Sequence, residues 1–240
     1  MKPVWICLGL AVTAAAHAQL LSEHTFDTYA SGTELNGLDG WLVREGATPT
    51  SGLASVTNTV AASAPHAARL STGSGGATRL SRSFTQWSLR DPGNDTLRIS
   101  VDVFIPSAPL HVVTIALPQL DNMRFVTWNS NASTQQLFAA SNPGSAGGLF
   151  NLNKNQWNTL EFRVDGLTGN TAFYANGGIV GARILDVSAI NNFDFEIENA
   201  WSGTEVAIDN LRMEAVPEPM TMALLATGLA LAARRRQARG

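Results

Sequence analysis

The chain has 240 residues, of which 16 are basic, 19 are acidic and one is a cysteine. Without the terminal segments discussed below, residues 19–216 keep 11 basic and 18 acidic side chains, an excess of seven negative charges. An acidic domain without a basic run argues against nucleic-acid binding, which requires a positive surface. The single Cys7 lies in a segment that we expect to be cleaved, which excludes disulfides and cysteine chemistry from the mature protein.

The N-terminus has the three parts of a secretory signal peptide. Met1-Lys2-Pro3 is a basic start, Val4 to Ala16 is apolar, and Ala16-His17-Ala18 is an A-x-A cleavage site. The apolar stretch is shorter than the about 20 residues that a bilayer span requires. We therefore predict a signal peptide over residues 1–18 and a mature chain that begins at Gln19.

The central residues 19–215 predict one all-β domain, an antiparallel jelly-roll β-sandwich. Leu97 to Ile105 alternates apolar with polar residues, which indicates a strand with one face in the core. Thr159 to Val164 alternates in the same way, and Gly, Asn, Asp, Ser and Pro separate the runs as turn signals. The spacing predicts about ten to fourteen strands. Further strands are predicted over His111 to Leu117, Thr171 to Ala175, Ile179 to Ile184, Phe193 to Ile197 and Val206 to Met213.

Two neighbouring segments carry a family resemblance. Trp157 to Asp165, followed by Thr171 to Gly178, resembles the concanavalin-like or laminin-G-like jelly roll, in which a tryptophan opens a strand and the next hairpin ends in a Tyr-x-Asn-Gly turn. Phe26 to Tyr29, Gly40-Trp41 and Ile208 to Leu211 recur in such exported jelly rolls, and also in galactose-binding-like carbohydrate modules. The resemblance implies a sandwich and leaves these two families open.

The same resemblance implies a structural calcium ion. In many jelly-roll carbohydrate modules the ion is held by an acidic residue of the first strand and an aspartate near the last strand, and Asp27 and Asp209 occupy the matching places. Calcium takes six to eight oxygen ligands, including carboxylates and backbone carbonyls. The alternative is that Asp209 caps or turns beside its strand and that Asp27 begins a loop.

Trp128 is the best candidate for a sugar-binding platform. Exposed aromatic rings stack on sugars, although most large aromatic side chains fill cores. Trp128 lies beside the polar Asn129-Ser130-Asn131, whereas Trp41 and Trp157 stand next to strand starts and are expected to be packed.

Three carboxylates alternate along one predicted strand, at Asp194, Glu196 and Glu198. Alternate residues of a strand share a face, and retaining glycosidases use two carboxyl groups about 5 to 5.5 Å apart. The pattern resembles the Glu-x-Asp-x-Glu motif of family 16 glycosidases, but its first and middle residues differ. A hydrolase using Glu196 and Glu198 is therefore an alternative, and a solvated strand face is the main interpretation.

The C-terminus combines a Val-Pro-Glu-Pro segment, an apolar stretch from Met220 to Ala233 and a basic end. This tail resembles the PEP-CTERM sorting signal of exopolysaccharide-producing Gram-negative bacteria, in which an exosortase recognises Pro-Glu-Pro and processes the tail during export. The basic flank is typical of a short apolar helix held transiently in the inner membrane with its arginines in the cytoplasm. The predicted sorting motif, within residues 216–240, consists of Val216, Pro217, Glu218, Pro219, Arg234, Arg235 and Arg236.

Together these patterns predict an exported protein of the cell surface or extracellular matrix. We expect it to bind or scaffold extracellular polysaccharide without catalysing a reaction, with an exosortase-type enzyme as its processing partner. The alternatives are the glycoside hydrolase described above and a purely structural matrix protein without affinity for sugars.

Overall fold

The computed structural model describes residues 17–73, 76–106, 112–130, 134–140, 145–188, 190–200 and 204–217. These residues form sixteen β-strands and one short 3₁₀ helix over Gln86–Leu89. The strands are β1 Gln19–His24, β2 Leu42–Glu45, β3 Thr48–Pro49, β4 Ala54–Thr57, β5 Ala67–Ser71, β6 Thr78–Phe84, β7 Thr96–Phe104, β8 Val113–Leu117, β9 Met123–Ser130, β10 Thr134–Ala140, β11 Ser145–Asn153, β12 Trp157–Asp165, β13 Asn170–Ala175, β14 Gly178–Ile184, β15 Phe193–Asn199 and β16 Glu205–Val216.

The strands form two antiparallel sheets. The first sheet has the order β14-β13-β12-β7-β16-β5-β4, with β1 beside the second half of β16, and the second sheet has the order β3-β2-β6-β15-β8-β9-β10-β11. The sheets meet where β11 pairs with β14 through Gly147 and Gly181. The predicted all-β sandwich is confirmed. The predicted strand number was low, because β1 to β4 are short and carry no clear alternation.

Strand β16 changes partner half-way along its length. Residues 205–208 pair with β5, and residues 211–215 pair with β1 on the same edge. The change occurs at an irregularity between Asp209 and Arg212, where Asn210 has a φ of 50°. The other edge of β16 pairs with β7 up to Val216.

The two sheets enclose a single core of apolar and aromatic side chains. Phe125 of the second sheet lies 4.7 Å from Phe162 and 5.7 Å from Phe173 of the first sheet, measured between ring centroids. All three side chains are buried, and such pairs add to the free energy gained from their burial. Trp41 and Trp87 are also buried, as expected for Trp41.

Strand alternation places the side chains as predicted except for Phe104, which was expected on the core side with the other apolar residues of Leu97 to Ile105, and one outward side chain, Glu161, is nevertheless buried. Phe104 lies on the outer side of β7, 5.6 Å from the ring of the half-buried Trp157. Glu161 points outward from β12 but is only 5% exposed, because arginine side chains cover it. This covered glutamate lies at the centre of the candidate site.

Candidate functional site

The outer face of the first sheet has a groove along β12, β13 and β14. On β13 the residues Asn170, Ala172 and Tyr174 point outward, and Ala172 pairs with Ala182 of β14. Because a strand rises about 3.3 Å per residue, Asn170 and Tyr174 stand about 13 Å apart. The two alanines between them form a low apolar floor, with Ile184 on the far side.

The groove consists of two adjoining cavities. The first has a volume of about 620 Å³ and contains the alanine floor. The second, about 440 Å³, extends along the strands toward Thr159 and Asn176. Arg163 and Tyr174 line both cavities, so this pair separates the groove into two basins. We call the whole depression the β13 groove.

A glutamate buried between two arginines holds this central pair in place. Glu161 Oε1 accepts a short hydrogen bond from Arg163 Nε. Its Oε2 accepts from Arg98 Nε at 2.7 Å. The Arg163 guanidinium carbon lies 4.4 Å from the centroid of the Tyr174 ring, within the range of a cation–π contact. The hydrogen bond and the ring together fix the plane of the Arg163 guanidinium.

The charged row continues across the sheet beyond Arg98. Arg98 Nη1 donates to Glu214 Oε2 at 3.0 Å, and Arg212 Nη2 lies 2.8 Å from Glu214 Oε1. Burial by itself lowers the pKa of Arg98, but the hydrogen bonds and charges of Glu161 and Glu214 together outweigh it and raise that pKa above its ordinary value. Arg98 is therefore a permanently charged member of the row.

Asp165 supplies an ionised acceptor at the rim of the first basin. Burial works to raise the pKa of Asp165, but hydrogen bonds from the Thr168 hydroxyl and from the backbone N–H groups of Leu167 and Thr168 lower it below the usual value. With the apolar floor, the aromatic ring and the guanidinium, the groove offers the contacts that a sugar requires: one apolar surface and several hydrogen-bonding groups around it.

The outer face of the second sheet carries the predicted row of carboxylates. Arg79 Nε makes a short ion pair with Glu198 Oε2 and lies 3.8 Å from Glu196 Oε1. Asp194 accepts a hydrogen bond from Gln119 Nε2 at 2.9 Å and a short one from Ser83 Oγ. The structure therefore brings all three carboxylates to one face, each with a hydrogen-bonding or ionic partner.

Glu196 and Glu198 differ in their surroundings. Burial raises the pKa of Glu196, and the charges of Glu198 and Asp194 add to the rise while Arg79 opposes it. Glu198 makes the closer contact with Arg79. The pair thus combines a carboxyl group whose pKa is raised by burial with one that is ion-paired, an asymmetry typical of acid and nucleophile pairs.

Asp27, which follows β1, and Asp209 of β16 both accept hydrogen bonds from the loop that precedes β5. Asp209 is fully buried, and its Oδ2 accepts from the N–H groups of Ala62 and Ser63 at 3.0 and 2.9 Å and from the Ser63 hydroxyl at 3.1 Å. Asp27 Oδ1 accepts from the N–H of His66 at 3.1 Å. Burial raises the pKa of Asp209 although these hydrogen bonds oppose the rise.

These contacts give Asp209 the role of an anchor for the loop. Because N–H and O–H donors already surround Asp209 Oδ2, a calcium ion at that oxygen would have to displace them. Asp27 Oδ2 has no such donor within the described residues. Those residues include no cluster of three or more His, Cys, Asp or Glu side chains suited to a metal. Calcium at Asp27 and Asp209 stays a prediction.

The other predicted site residues lie partly or wholly outside the described residues. The backbone of Trp128 is in β9, opposite Gln136 of β10, and its side chain lies outside the described part of the structure. Val216 ends β16 and Pro217 follows it. Residues 1–16 of the predicted signal peptide lie outside the described residues. So do the predicted sorting residues Glu218, Pro219, Arg234, Arg235 and Arg236.

Sequence reasoning did not single out the β13 groove. The sequence patterns indicate Tyr174 only as the start of the Tyr-x-Asn-Gly turn, and Arg163 only as a polar residue in the alternation of Thr159 to Val164. The usable signal was the outward series Asn170, Ala172 and Tyr174, in which a small residue separates two large ones. That series predicts a depression only if the neighbouring strand also presents a small residue, and here that residue is Ala182.

The last residues of β16 lead into a recognised signal. Residues 215–237 match the PEP-CTERM protein-sorting motif. This tail is a PEP-CTERM sorting signal. The motif indicates an exported protein that is sorted to the cell envelope and processed by an exosortase. Within the described part of the chain, no helix is long and apolar enough to cross a membrane.

The sandwich resembles several solved structures at low sequence identity. The carbohydrate esterase vb_24B_21 of the Shiga toxin-encoding bacteriophage phi24B matches with a TM-score of 0.57 at 16% identity, over 84% of this chain and all of its own. The endo-1,3-β-glucanase of Streptomyces sioyaensis matches with a TM-score of 0.56 at 10% identity, over 87% of this chain and all of its own.

A third similar structure is the CBM2 module of the Lactobacillus casei BL23 phage J-1 evolved Dit. It matches with a TM-score of 0.53 at 12% identity, over 85% of this chain and 99% of its own. At such identities the likeness establishes the jelly-roll fold alone. No curated protein matches this sequence.

Proposed function

We propose that this exported protein binds extracellular polysaccharide in the β13 groove and does not catalyse its conversion. The observation that carries the proposal is the groove itself, with Ala172 and Ala182 as an apolar floor below Tyr174 and a fixed Arg163. A carbohydrate esterase, a glucanase and a CBM2 module share the fold, which adds support from the general use of this sandwich. The sorting signal delivers the protein to the envelope, where such polymers lie.

The test is a binding panel with the mature exported protein. Isothermal titration or affinity electrophoresis would compare laminarin, xylan, polygalacturonate and the exopolysaccharide of the producing strain. Saturable binding to at least one of them, lost when the groove is filled, is the expected result. Absence of binding to every polymer in the panel would contradict the proposal and would favour a structural matrix protein without affinity for sugars.

Hydrolysis is a second candidate function, at the carboxylate row of the second sheet. It is favoured by the raised pKa of Glu196 beside the ion-paired Glu198. Release of reducing ends from the bound polymer, abolished in Glu198→Gln and in Glu196→Gln, would establish it. A wild-type protein that binds polymer for hours without releasing reducing ends would reject it.

A bound calcium ion remains part of the proposal through Asp27. Asp27 Oδ2, which accepts no hydrogen bond within the described residues, is the side-chain atom that could bind the ion, and calcium would need further oxygen ligands. Melting temperatures of the wild type and of Asp27→Asn would be measured in calcium and in EDTA. Calcium binding predicts that EDTA lowers the melting temperature of the wild type toward that of the variant. An unchanged melting temperature would remove calcium from the description.

We also propose how the sorting signal is held in the membrane and cleaved. We expect the apolar stretch after Pro219 to hold the chain in the inner membrane until an exosortase cleaves near Pro217 to Pro219. Replacing Pro217, Glu218 and Pro219 by alanine should then leave an unprocessed chain in the inner-membrane fraction. Normal processing of this variant would contradict the route.

A further inference from the structure

The guanidinium of Arg163 is held in place but keeps hydrogen-bond donors that no described residue uses. Its Nε donates to Glu161, and its face lies on the Tyr174 ring. The two terminal nitrogens, Nη1 and Nη2, have no acceptor among the described residues. The side chain is 46% exposed and lies where the two basins of the β13 groove meet. Two parallel N–H groups therefore face the groove with their orientation already fixed.

Arg98 differs from Arg163 in this respect. Its Nε and Nη2 both lie 2.7 Å from Glu161, and its Nη1 donates to Glu214 at 3.0 Å. All three of its nitrogens are therefore engaged within the row. Of the two arginines that cover Glu161, only Arg163 keeps its terminal pair of nitrogens for another molecule.

A planar pair of N–H groups matches one ligand chemistry best. A carboxylate accepts two parallel hydrogen bonds from a guanidinium, and such charge-assisted pairs are about twice as strong as neutral ones. Because the plane of Arg163 is fixed before binding, little side-chain freedom is lost on contact. We infer that the ligand of the β13 groove is an acidic polysaccharide whose sugar carboxylate pairs with Arg163. This inference rests on the proposed function.

Both basins fit a polymer of this kind. A carboxylate at Arg163 leaves room for neighbouring sugar residues on either side, on the Ala172 and Ala182 floor and toward Thr159 and Asn176. The charged side chains that line the groove are Arg98, Arg163, Arg183, Glu161 and Asp165, a local excess of one positive charge on an acidic domain. The groove is thus locally suited to an anion that the rest of the surface would repel.

The test compares two polymers that differ only in the carboxylate. The mature protein is titrated with polygalacturonate and with its methyl-esterified form, at low and high salt. We expect tighter binding of the acid form, weakened by salt because the contact is ionic. In Arg163→Gln the affinity for polygalacturonate should fall about tenfold while affinity for the ester changes little, since one bidentate charged contact is lost. Arg163→Lys should recover only part of the lost affinity, because lysine lacks the planar pair of N–H groups of the guanidinium.

Arg69→Gln is the matched control, because Arg69 is 43% exposed on the same sheet and forms an ion pair with Glu205 outside the groove. It should leave both affinities unchanged. Equal binding of the two polymers by the wild type, or an equal effect of Arg163→Gln on both, would overturn the inference while leaving polysaccharide binding intact. Binding of neither polymer, nor of any other in the panel, would remove the proposed function and the inference together.

Discussion

Each sheet carries on its outer face a small cluster of arginine and glutamate, and the two clusters combine these residue types in opposite proportions. On the first sheet, Glu161 is buried between Arg98 and Arg163. On the second sheet, Arg79 is shared by two glutamates of β15. The first arrangement leaves unused donors on a cation, and the second leaves unused acceptors on anions. In these two clusters the residue type in the minority therefore decides whether donors or acceptors are left for another molecule.

The largest expected effect concerns the loop that covers part of the first face. In Asp209→Ala the N–H groups of Ala62 and Ser63 lose their acceptor, and the loop should detach from β16. We expect a loss of about 3 kcal/mol in the free energy of unfolding, since several hydrogen bonds to a buried charge are removed together. Denaturant titration measures it, in calcium and in EDTA.

An anchor made of hydrogen bonds predicts the same loss in both solutions. A loss seen only in calcium would instead identify Asp209 as a metal ligand. Either result would show how much the anchoring of the covering loop at Asp209 contributes to the free energy of unfolding.

Removing one glutamate from each face tests the comparison directly on stability. Glu161→Gln leaves Arg98 and Arg163 without a shared counter-charge, and we expect a loss of about 2 kcal/mol, reduced from the fully buried case because both arginines are partly exposed. Glu198→Gln should cost less than about 1 kcal/mol, because Arg79 keeps Glu196 and is itself well exposed. Equal losses measured by urea unfolding would break the comparison.

Filling the groove tests the comparison on binding. Ala172→Trp and Ala182→Phe place a large ring on the floor of the first basin, where the outward alanines leave space. We expect polysaccharide affinity to fall about tenfold or more, the loss of roughly 1.4 kcal/mol or more of binding free energy. Thr114→Phe puts a ring of the same kind on the second face and serves as the control. Loss of binding in Thr114→Phe alone would transfer the site to the carboxylate face.

The smallest expected effect is a pH dependence on the second face. Because burial raises the pKa of Glu196 above its unfolded value, the ionised form costs stability at neutral pH. The protein regains this stability as the pH falls from the raised pKa of Glu196 to the ordinary glutamate value, because the side chain becomes protonated. Glu196→Gln should therefore be more stable than the wild type at pH 7, and the difference should shrink at lower pH.

His24 also makes the stability of the protein depend on pH, in the opposite direction. Comparing the wild type with Glu196→Gln cancels this contribution. Burial and the charge of Arg82 lower the pKa of His24 to about 4. Its folded-state pKa lies below the ordinary 6.5, so stability is lost as the pH falls from about 6.5 to about 4. Both proteins carry His24, so only the difference between their unfolding curves reports on Glu196. A difference that grows on acidification would contradict the assignment.

The sequence predicted the fold better than the site, for a physical reason. Alternation in Leu160, Phe162 and Val164 depends on neighbours two residues away, so the sandwich and its inward residues could be predicted. The burial of Glu161 depends on Arg98, which is 63 residues distant in sequence, and the groove floor depends on the register that sets Ala172 beside Ala182. Such cross-strand pairs become known only when the strand order is known.

The route of β16 through the first sheet also fixes how the domain would carry a mechanical load. The strand ends at Val216, inside the matched sorting segment, and its hydrogen bonds to β7 stand roughly perpendicular to its length. A pull at the C-terminus therefore runs along the strand and shears many hydrogen bonds at once instead of opening them one by one. Because β7 lies next to β12, tension from a polymer in the groove would reach the tail through two adjacent ladders, both loaded in shear.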